Sequence, residues 1–512
     1  MGSMPPSWPT SGRSATATYA GGVDLVVGFD LDMTLVDSRA GIAETLRQAA
    51  AVLKIEISDE NVWPTIGIPL TDAMEQWLPA EDIPVAIAEY RRRYPTVGVP
   101  MTTALPGARE ALAAVRELGG RTAVVSAKIE PAVRAVLAHV GLEADLVVGG
   151  RFAAAKSGVL REAGAQVYVG DHPGDVVAAR GADAVSIAVT TGPTSAADLA
   201  AAGADEVLDS LASFPEWLRE HVLQQRLDRL EADLRDLRRP LVVAFSGGAD
   251  SAFVLAAATR AVGPDAVVAA TAVSPSLATG ELAAARAFAA GLGGRHLTPE
   301  THELDREGYV ANAGDRCYYC KAELVDVLDA LSRSSSMVAE GTVLTGTNAD
   351  DARAGFRPGI RAAEERGARA PLRDAGLTKG QVREASRRWG LATWDKPAAA
   401  CLSSRVAYGV PVTRERLERV DRAELAVREV LTSAGATMTD LRVRDLGDRG
   451  ARLELGRPLL ADVLDDAGRP TVLGRRLLTA VRASGFDDVE IDPRGFRSGS
   501  MNDLLPQPQL FR

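Results

Sequence analysis

Cysteine is scarce in this chain, and neither a long apolar run nor a signal-peptide pattern is present. Only Cys317, Cys320 and Cys401 occur among 512 residues, a poor number for a disulfide framework in a chain of this length. No apolar run approaches the roughly 20 residues that a transmembrane helix needs, and the chain does not open like a secreted precursor. These absences predict a cytoplasmic protein that has no membrane partner and whose few cysteine thiols have functional roles.

Positive charge is also in deficit, since the formal net charge is -10. Binding to a phosphate backbone requires a basic surface. A nucleic-acid partner is therefore not expected, although a local basic patch would be compatible with this composition. The sequence also lacks an internal repeat of fixed period.

The composition that is present, 46% hydrophobic and 25% charged, is typical of soluble globular proteins. A chain of 512 residues is longer than one hydrophobic core usually supports, so two or three domains are expected. Apolar runs alternate with helix-like stretches, which predicts α/β domains with parallel sheets. The predicted organisation is a disordered tail over 1–20, an α/β domain over 21–212 with a helical cap at about 37–104, a helical connector over 213–239, a second parallel-sheet domain over 240–400, and a small α+β domain over 401–512.

Acidic residues follow predicted strands in the N-terminal half. Asp30 and Asp32 stand in FDLD, and Asp171 and Asp175 stand in VGDHPGD. Together with Ser126 and Lys156, this ordered set resembles the four motifs of the haloacid dehalogenase superfamily of phosphatases over residues 21–212. Any one of these aspartates alone would more simply be a turn or helix-cap residue. A domain that keeps the fold without the activity is a second alternative.

The resemblance implies a role for each of these side chains. Asp30 would attack phosphorus as the nucleophile, and Asp32 would protonate the leaving group. Ser126 and Lys156 would hold the phosphoryl oxygens. Carboxylate oxygens are the ligands that Mg²⁺ prefers. The candidate Mg²⁺ ligands are Asp30, Asp32, Asp171 and Asp175.

A second phosphate-binding loop opens the C-terminal half in LVVAFSGGADS. Gly247 and Gly248 let the backbone approach a polyphosphate, and the following helix start offers free N–H groups. Ser246 and Ser251 add hydroxyl donors, and Asp250 can orient the loop or a Mg²⁺. The lysine of a Walker A loop is missing, and the spacing resembles instead the PP-loop family, which splits ATP between its α and β phosphates. A plain strand–helix turn is the alternative.

Longer motifs extend this resemblance over about residues 225–505, where the chain is similar to the LarE family of ATP-dependent sulfur transferases. The motifs are GDRCYYCKAEL, LTGTNADDARAGFRPG, the stretch from APLRDAGLTKGQ to ACLSSRVAYG, ERVDRAELAVRE and GFRSGSMND. The family implies adenylation of a pyridinium carboxylate mononucleotide and sulfur insertion, leading to the nickel-pincer nucleotide cofactor. It also implies a homo-oligomer, a hexamer, whose C-terminal domain serves substrate binding and oligomerisation. The partners would be a small nucleotide and sulfide or another sulfur source.

The three cysteines occupy positions that this family uses in two ways. Some members carry only a sacrificial cysteine at the position of Cys401, which donates its sulfur and becomes dehydroalanine. Others hold a [4Fe–4S] cluster at the positions of Cys317, Cys320 and Cys401, with one iron free to carry an extra sulfide. The second pattern matches this chain. A Cys₃ zinc site, a redox disulfide in the CxxC pair, and small packed side chains are the alternatives.

Further polar residues in these motifs are candidates for binding. Asn348 and Asp350 would line the nucleotide site with the help of Asp351, and Arg357 is a candidate for phosphate. The candidates for the substrate and its phosphate are Arg405, Arg442, Arg444 and Arg497, with Glu424 as their partner. Each arginine alone would otherwise be a solvated surface charge.

The sequence thus predicts a bifunctional chain, in which a Mg²⁺-dependent phosphatase-like domain is fused to an ATP-dependent, iron–sulfur-containing sulfur transferase. The fusion suggests that both act in one pathway. Two alternatives stay open. The C-terminal half would then be a tRNA thiolase, or the N-terminal half a docking module without activity.

Overall fold

The computed structural model describes residues 25–334, 340–353, 357–397, 400–436, 440–497 and 501. The predicted tail over 1–20 lies outside these residues. The chain divides into two compact units, which are called unit 1 (Met1–Val222) and unit 2 (Leu223–Arg512). Within the described residues, no helix combines the length and apolarity that a membrane crossing requires.

Unit 1 is built around a six-stranded parallel sheet in the order β5-β4-β1-β6-β7-β8. Its strands are β1 (Val26–Phe29), β2 (Val36–Asp37), β3 (Thr103–Ala104), β4 (Arg121–Val125), β5 (Leu146–Val148), β6 (Val167–Gly170), β7 (Val185–Val189) and β8 (Glu206–Leu208). The short strands β2 and β3 pair antiparallel in a separate ribbon. This ribbon joins the two ends of a helical insertion, the segment for which the sequence predicts a cap.

Among the described residues, the α-helices of unit 1 comprise four in the insertion and five that connect the sheet strands, while a tenth begins in unit 1 and ends in unit 2. They are α1 (Arg39–Ala51), α2 (Asp59–Val62), α3 (Leu70–Met74), α4 (Ile83–Arg93), α5 (Ala108–Glu117), α6 (Glu130–Val140), α7 (Ala154–Ala163), α8 (Pro173–Gly181), α9 (Ala196–Ala202) and α10 (Phe214–Asp236). The last, of 23 residues, occupies the segment for which the sequence predicts a helical connector.

The side chains of the central strands point alternately to the two faces of the sheet, and this produces two apolar layers in unit 1. Val27 and Phe29 of β1 belong to one buried cluster, while Val26 belongs to another with Tyr168 of β6. Successive strand residues point to opposite faces of a sheet, so each cluster covers one face. Burial on both faces explains why these strands are almost purely apolar, as is usual for parallel sheets.

Unit 2 contains a four-stranded parallel sheet in the order β11-β10-β9-β12 and a separate three-stranded sheet in the order β13-β14-β15. The strands are β9 (Leu241–Ala244), β10 (Val267–Ala270), β11 (Arg295–Leu297), β12 (Thr342–Leu344), β13 (Leu441–Gly447), β14 (Gly450–Leu455) and β15 (Asp488–Ile491). The helices are α11 (Ala249–Val262), α12 (Glu281–Gly291), α13 (Glu307–Val310), α14 (Arg316–Ser334), α15 (Ala349–Arg353), α16 (Pro358–Glu364), α17 (Pro371–Asp374), α18 (Lys379–Arg388), α19 (Arg414–Ser433), α20 (Leu460–Val463) and α21 (Val472–Ala483).

The two sheets of unit 2 have separate cores. Leu241 and Val243 of β9 pack with α11 in one cluster. Val443 and Leu453 of the three-stranded sheet pack with α19 and α21 in another. The parallel α/β architecture predicted for the chain is thus found in both units, with a mixed sheet added near the C-terminus.

Candidate functional sites

Three carboxylates meet at the carboxyl end of the sheet in unit 1. Asp30 follows β1, Asp171 follows β6, and Asp175 lies in the first turn of α8. One oxygen from each of these buried residues lies within 4.8 Å of the others. The carboxyl ends of parallel strands are the usual location of ligand sites in such sheets. Asp175 also accepts the backbone N–H of His172 at 3.2 Å, so it caps its helix as well as facing the site.

Lys156 of α7 holds two of these carboxylates together. Its Nζ donates to Oδ1 of Asp30 at 2.7 Å, to Oδ1 of Asp175 at 2.7 Å, and lies 2.9 Å from the Tyr168 hydroxyl. Burial alone would lower the pKa of Lys156, but the Asp175 and Asp30 carboxylates raise it well above its usual value. The lysine is therefore a fixed positive charge at the centre of the acidic group.

One ammonium does not balance three buried carboxylates. Burial raises the pKa of Asp30 to about 7 against the opposing effect of Lys156, and burial also raises the pKa of Asp171. Oδ2 of Asp171 is buried without a hydrogen-bond partner. Only glycine fits at position 192 beside this oxygen, since an added Cβ there would lie 1.9 Å from it. Three carboxylates and an unsatisfied oxygen fit a divalent cation with oxygen ligands.

Asp32 lies apart from this group, so its carboxylate does not serve as the predicted fourth ligand. Its Oδ1 accepts Nζ of Lys128 at 2.8 Å, and the same Nζ lies 2.7 Å from the Tyr94 hydroxyl. Ser126, predicted to hold phosphate, is buried and accepts the Lys128 backbone N–H at 3.2 Å. Lys128 is thus a site residue without a role in the sequence prediction.

The glycine loop in unit 2 connects β9 to α11. Gly247 has a φ of +72°, a conformation that favours glycine, and Gly248 precedes the first turn of α11. The hydroxyls of Ser246 and Ser251 lie 3.1 Å apart, and Ser251 Oγ accepts the Ser246 N–H at 3.2 Å. The two hydroxyls fix the loop around the open N-terminus of a helix, where anions bind readily.

Residues that follow β12 along the chain contact one side of this loop. Asn348 donates to Asp250 at 3.4 Å, and its own oxygen accepts the backbone N–H groups of Asp350 at 2.9 Å and Asp351 at 3.1 Å. Lys379 donates its ammonium to Asp250 and its backbone N–H to Asp350 at 2.8 Å. The structure therefore brings the predicted nucleotide residues together at the carboxyl ends of neighbouring parallel strands.

A cavity of about 580 Å³ extends from this loop. Its walls combine the Ser246 end of the loop, the three cysteines and a group of arginines. The residues that matter here are Ser246, Lys396, Cys317, Cys320, Cys401, Arg405, Arg428 and Arg442. A volume of this size suits a small molecule of nucleotide dimensions.

The three cysteines reach the cavity from two segments. Cys317 and Cys320 lie in the first turns of α14, and Cys401 precedes the short 3₁₀ helix Leu402–Arg405. Burial, with Cys401 adding to it, raises the pKa of Cys320, and burial also raises the pKa of Cys317. Among the described residues, their sulfurs do not form a group within 4.8 Å of one another. One ion cannot therefore be held without movement, whereas cluster ligands bind separate irons and stand further apart.

Two of the predicted substrate arginines are instead committed to buried ion pairs. Arg405 donates to Glu424 at 3.0 Å, and Arg444 donates to Glu454 at 2.8 Å, with all four side chains at most 6% exposed. Arg405 also donates to the Cys401 carbonyl at 2.8 Å. Arg405 therefore holds the cysteine loop and also lines the cavity, and its contact with a phosphate stays a prediction.

Arg442 is better placed for an anion. It lies on the cavity wall, and its guanidinium stacks over the Phe496 ring at 5.2 Å. Burial, together with the charges of Arg405 and Arg444, lowers the pKa of Arg442 to about 10. An anion would relieve this crowding of positive charge. Arg497 is half-buried and is not among the described residues that line the cavity, while Arg357 stands 4.0 Å from Asp351.

The first comparisons with known proteins concern the N-terminal part of the chain. Residues 27–189 match the family model described as haloacid dehalogenase-like hydrolase. A protein named "Probable phosphatase IndB" from Dickeya dadantii is 31% identical over 207 residues, covering 36% of this chain and 90% of the relative. Unit 1 therefore has the fold of this hydrolase family.

Two relatives match a longer part of the chain. An uncharacterised protein, slr1717, from Synechocystis is 39% identical over 284 residues, which are 56% of this chain and 99% of the relative. The pyridinium-3,5-bisthiocarboxylic acid mononucleotide synthase of Lactiplantibacillus plantarum is 34% identical over 283 residues, which are 55% of this chain and 95% of the relative. Both matches are longer than unit 1 and so reach into unit 2. The chain belongs to the family of this synthase. Its N-terminal part is haloacid dehalogenase-like.

Sequence reasoning assigned no role to several site residues of this synthase-family chain. Lys396 donates to the Gly247 carbonyl at 3.1 Å and to Glu281 at 2.8 Å. Glu303 is buried on the cavity wall and accepts the hydroxyls of Ser274 at 2.5 Å and Ser276 at 2.6 Å. Lys396 stands within a motif quoted for the family, in TWDKP, and its place in that motif was the signal that could have found it. Glu303 lies outside every such motif.

Proposed function

We propose that unit 2 is a PP-loop ATP-dependent sulfur transferase that adenylates a carboxylate of a pyridinium mononucleotide and replaces an oxygen with sulfur. Unit 1 is a Mg²⁺-dependent phosphatase of the same pathway. The observation that carries the first part is the single cavity in which the Ser246 loop, three cysteines and Arg442 meet. The name of the Lactiplantibacillus relative supports the product class.

In the first half-reaction, an oxygen of the substrate carboxylate attacks the α-phosphorus of ATP, and the bond to pyrophosphate breaks. Gly247, Gly248 and the N-terminus of α11 offer backbone N–H groups to the phosphates, with the Ser246 and Ser251 hydroxyls beside them. Lys396, at the same loop, stabilises the charge that develops on pyrophosphate. Arg442, which also lines this cavity, binds the phosphate of the mononucleotide.

In the second half-reaction, a sulfur nucleophile derived from sulfide attacks the acyl carbon, and AMP leaves with the bonding electrons. Cys317, Cys320 and Cys401 would hold a [4Fe–4S] cluster at this wall of the cavity. Such a cluster supplies an iron without a protein ligand, at which sulfide can bind. The donor set fits, because three thiols line one cavity and the neighbouring cysteines help to raise the pKa values of Cys317 and Cys320. A positive metal centre between them would favour the thiolates.

In unit 1, an oxygen of Asp30 attacks the phosphorus of a monoester, and the leaving alcohol takes a proton from Asp32. Water then attacks the aspartyl phosphate, and Asp32 receives the proton that the water loses. Lys156 holds Asp30 in position. Mg²⁺ bound by Asp30, Asp171 and Asp175 would neutralise the charge on the phosphoryl oxygens.

Separating the two activities on the full chain tests this proposal. Asp30→Asn should lower phosphatase turnover by about three orders of magnitude, since the nucleophile is lost, and should leave ATP cleavage to AMP and pyrophosphate intact. Ser246→Ala should do the reverse, with a loss of about tenfold in ATP cleavage. A wild-type chain that hydrolyses ATP to ADP, or a phosphatase activity that survives Asp30→Asn, contradicts the assignment.

A further inference from the structure

Unit 1 contains a second cavity, of about 300 Å³, on the side of Asp32 that faces the helical insertion. Its walls come from α1, the segment 65–73, α4 with the residues that follow it, and the start of α6. In the proposed phosphatase reaction, the atom next to Asp32 is the leaving oxygen. The cavity is therefore where the alcohol part of the substrate lies, and its volume is at the small end for ligand sites.

The lining of this cavity is mostly apolar. The aliphatic side chains are Ile42, Leu46, Ile66, Ile68, Leu70 and Ile129. Ile129 is 37% exposed, so this part of the wall gains from contact with an apolar ligand. Of the four hydroxyls on the wall, Thr65 donates to the Val62 carbonyl at 2.8 Å and Tyr94 is bonded to Lys128, which leaves those of Thr71 and Tyr90 for a polyol. A polyol would leave many of its hydroxyl groups unpaired here.

One charged side chain on this wall is available to a ligand. The ammonium of Lys128 is already engaged, since it donates to Asp32 at 2.8 Å and to the Tyr94 hydroxyl at 2.7 Å. Arg91 lines the same cavity, and among the described residues it makes neither a hydrogen bond nor an ion pair, whereas its neighbours Arg92 and Arg93 both donate to Glu89. An anionic group on an apolar ligand would find its partner at Arg91.

We propose that unit 1 takes phosphomonoesters whose alcohol is a single apolar ring with a carboxylate, which Arg91 binds. The proposal rests on the phosphatase function of unit 1 and specifies its substrate class. It is consistent with the ring carboxylates on which unit 2 is proposed to act.

Three phosphate monoesters test the proposed substrate class on the full chain with Mg²⁺. These are para-carboxybenzyl phosphate, benzyl phosphate and glycerol phosphate. We expect kcat/KM to fall in this order, by about tenfold for the lost carboxylate contact and by about a further tenfold for the lost apolar contact. Arg91→Gln should lower kcat/KM for carboxybenzyl phosphate to the level of benzyl phosphate and leave the latter within about twofold. Arg92→Gln, one residue further along and paired with Glu89, is the matched control and should keep the preference.

Binding measurements distinguish the proposed ligand class from the proposed phosphatase function. In Asp30→Asn, calorimetry should show carboxybenzyl phosphate binding that weakens about tenfold on adding Arg91→Gln. If binding follows this pattern but wild type hydrolyses no ester, the phosphatase function fails and the ligand class stands. If esters are hydrolysed and glycerol phosphate is the best, or Arg91→Gln leaves the preference unchanged, the ligand class is wrong and the phosphatase function stands. If the chain neither binds nor hydrolyses any of the three esters, both proposals are wrong.

Discussion

Arg405 and Glu424 form an ion pair of 3.0 Å between Nε and Oε1, with side-chain exposures of 4% and 0%. The same guanidinium donates to the Cys401 carbonyl at 2.8 Å. The pair therefore links α19, which carries Glu424, to the segment that presents Cys401 to the cavity. The pair therefore supports the segment that carries Cys401 at the wall of the candidate substrate cavity.

Breaking this pair should destabilise unit 2. Glu424→Gln leaves the Arg405 charge buried without its counter-charge, and such changes cost about 3–5 kcal/mol. Chemical unfolding followed by fluorescence measures the loss. Asp487→Asn is the control, because it breaks the exposed pair with Arg449 and should cost less than about 1 kcal/mol. Equal effects of the two substitutions would contradict a supporting role for the buried pair.

Mg²⁺ should stabilise unit 1 more strongly as pH rises. Burial raises the pKa of Asp30 to about 7, above its unfolded value of about 3.9. The metal-free folded state thus binds more protons between these values, and its stability falls as pH rises through that window. Mg²⁺ competes with those protons, so the shift in melting temperature on adding Mg²⁺ should be larger at about pH 8 than at about pH 5. Asp171→Asn should reduce the shift, and an equal or larger shift at the lower pH argues against the site.

The positive charge of Lys396 should accelerate the formation of pyrophosphate. It contacts the Gly247 carbonyl at 3.1 Å and Glu281 at 2.8 Å. Lys396→Met should lower kcat for pyrophosphate formation by about 10- to 100-fold with little change in folding. Lys396→Arg keeps the charge and should recover most of the activity. If both substitutions have the same effect, positive charge at this position is not what the loop requires.

The three cysteines should bind iron together. Anaerobically purified wild type should contain about four irons and four sulfides per chain, with the absorbance of a [4Fe–4S] cluster. Cys320→Ala should lose most of both. Tyr318→Phe is the control, since Tyr318 lies on the same helical turn but bonds to Glu365. A colourless wild type with zinc in place of iron is the result that excludes the cluster.

The grouping of polar residues at strand ends was predictable from the sequence. Asp30 and Asp171 each stand directly after a parallel strand, and the carboxyl ends of such strands meet at one edge of the sheet. The same holds for Ser246 after β9 and for Asn348 near the end of β12. The order of strands and loops along the chain is enough to group these residues, because topology alone brings them together.

The sequence failed where a role depends on which side chains pack against each other. Glu424, which the sequence predicts as a partner of the arginines, does pair with Arg405, but Arg444 pairs with Glu454, for which no role is predicted. Asp32 was counted as a metal ligand, and its carboxylate pairs with Lys128, 96 residues away. Spacing along the chain carries no signal for the Asp32–Lys128 pair, since this pair depends on packing between elements that are distant in sequence.

ATP-dependent insertion of external sulfur tests the central claim most directly. The full chain would be incubated anaerobically with ATP, Mg²⁺, isotopically labelled sulfide and a pyridinium dicarboxylate mononucleotide, and products and intact protein would be examined by mass spectrometry. We expect labelled thiocarboxylate, about one AMP for each sulfur inserted, and unchanged protein mass over several turnovers. A product with unlabelled sulfur and a chain lighter by about 34 Da, the mass of H₂S lost from Cys401, would contradict the account.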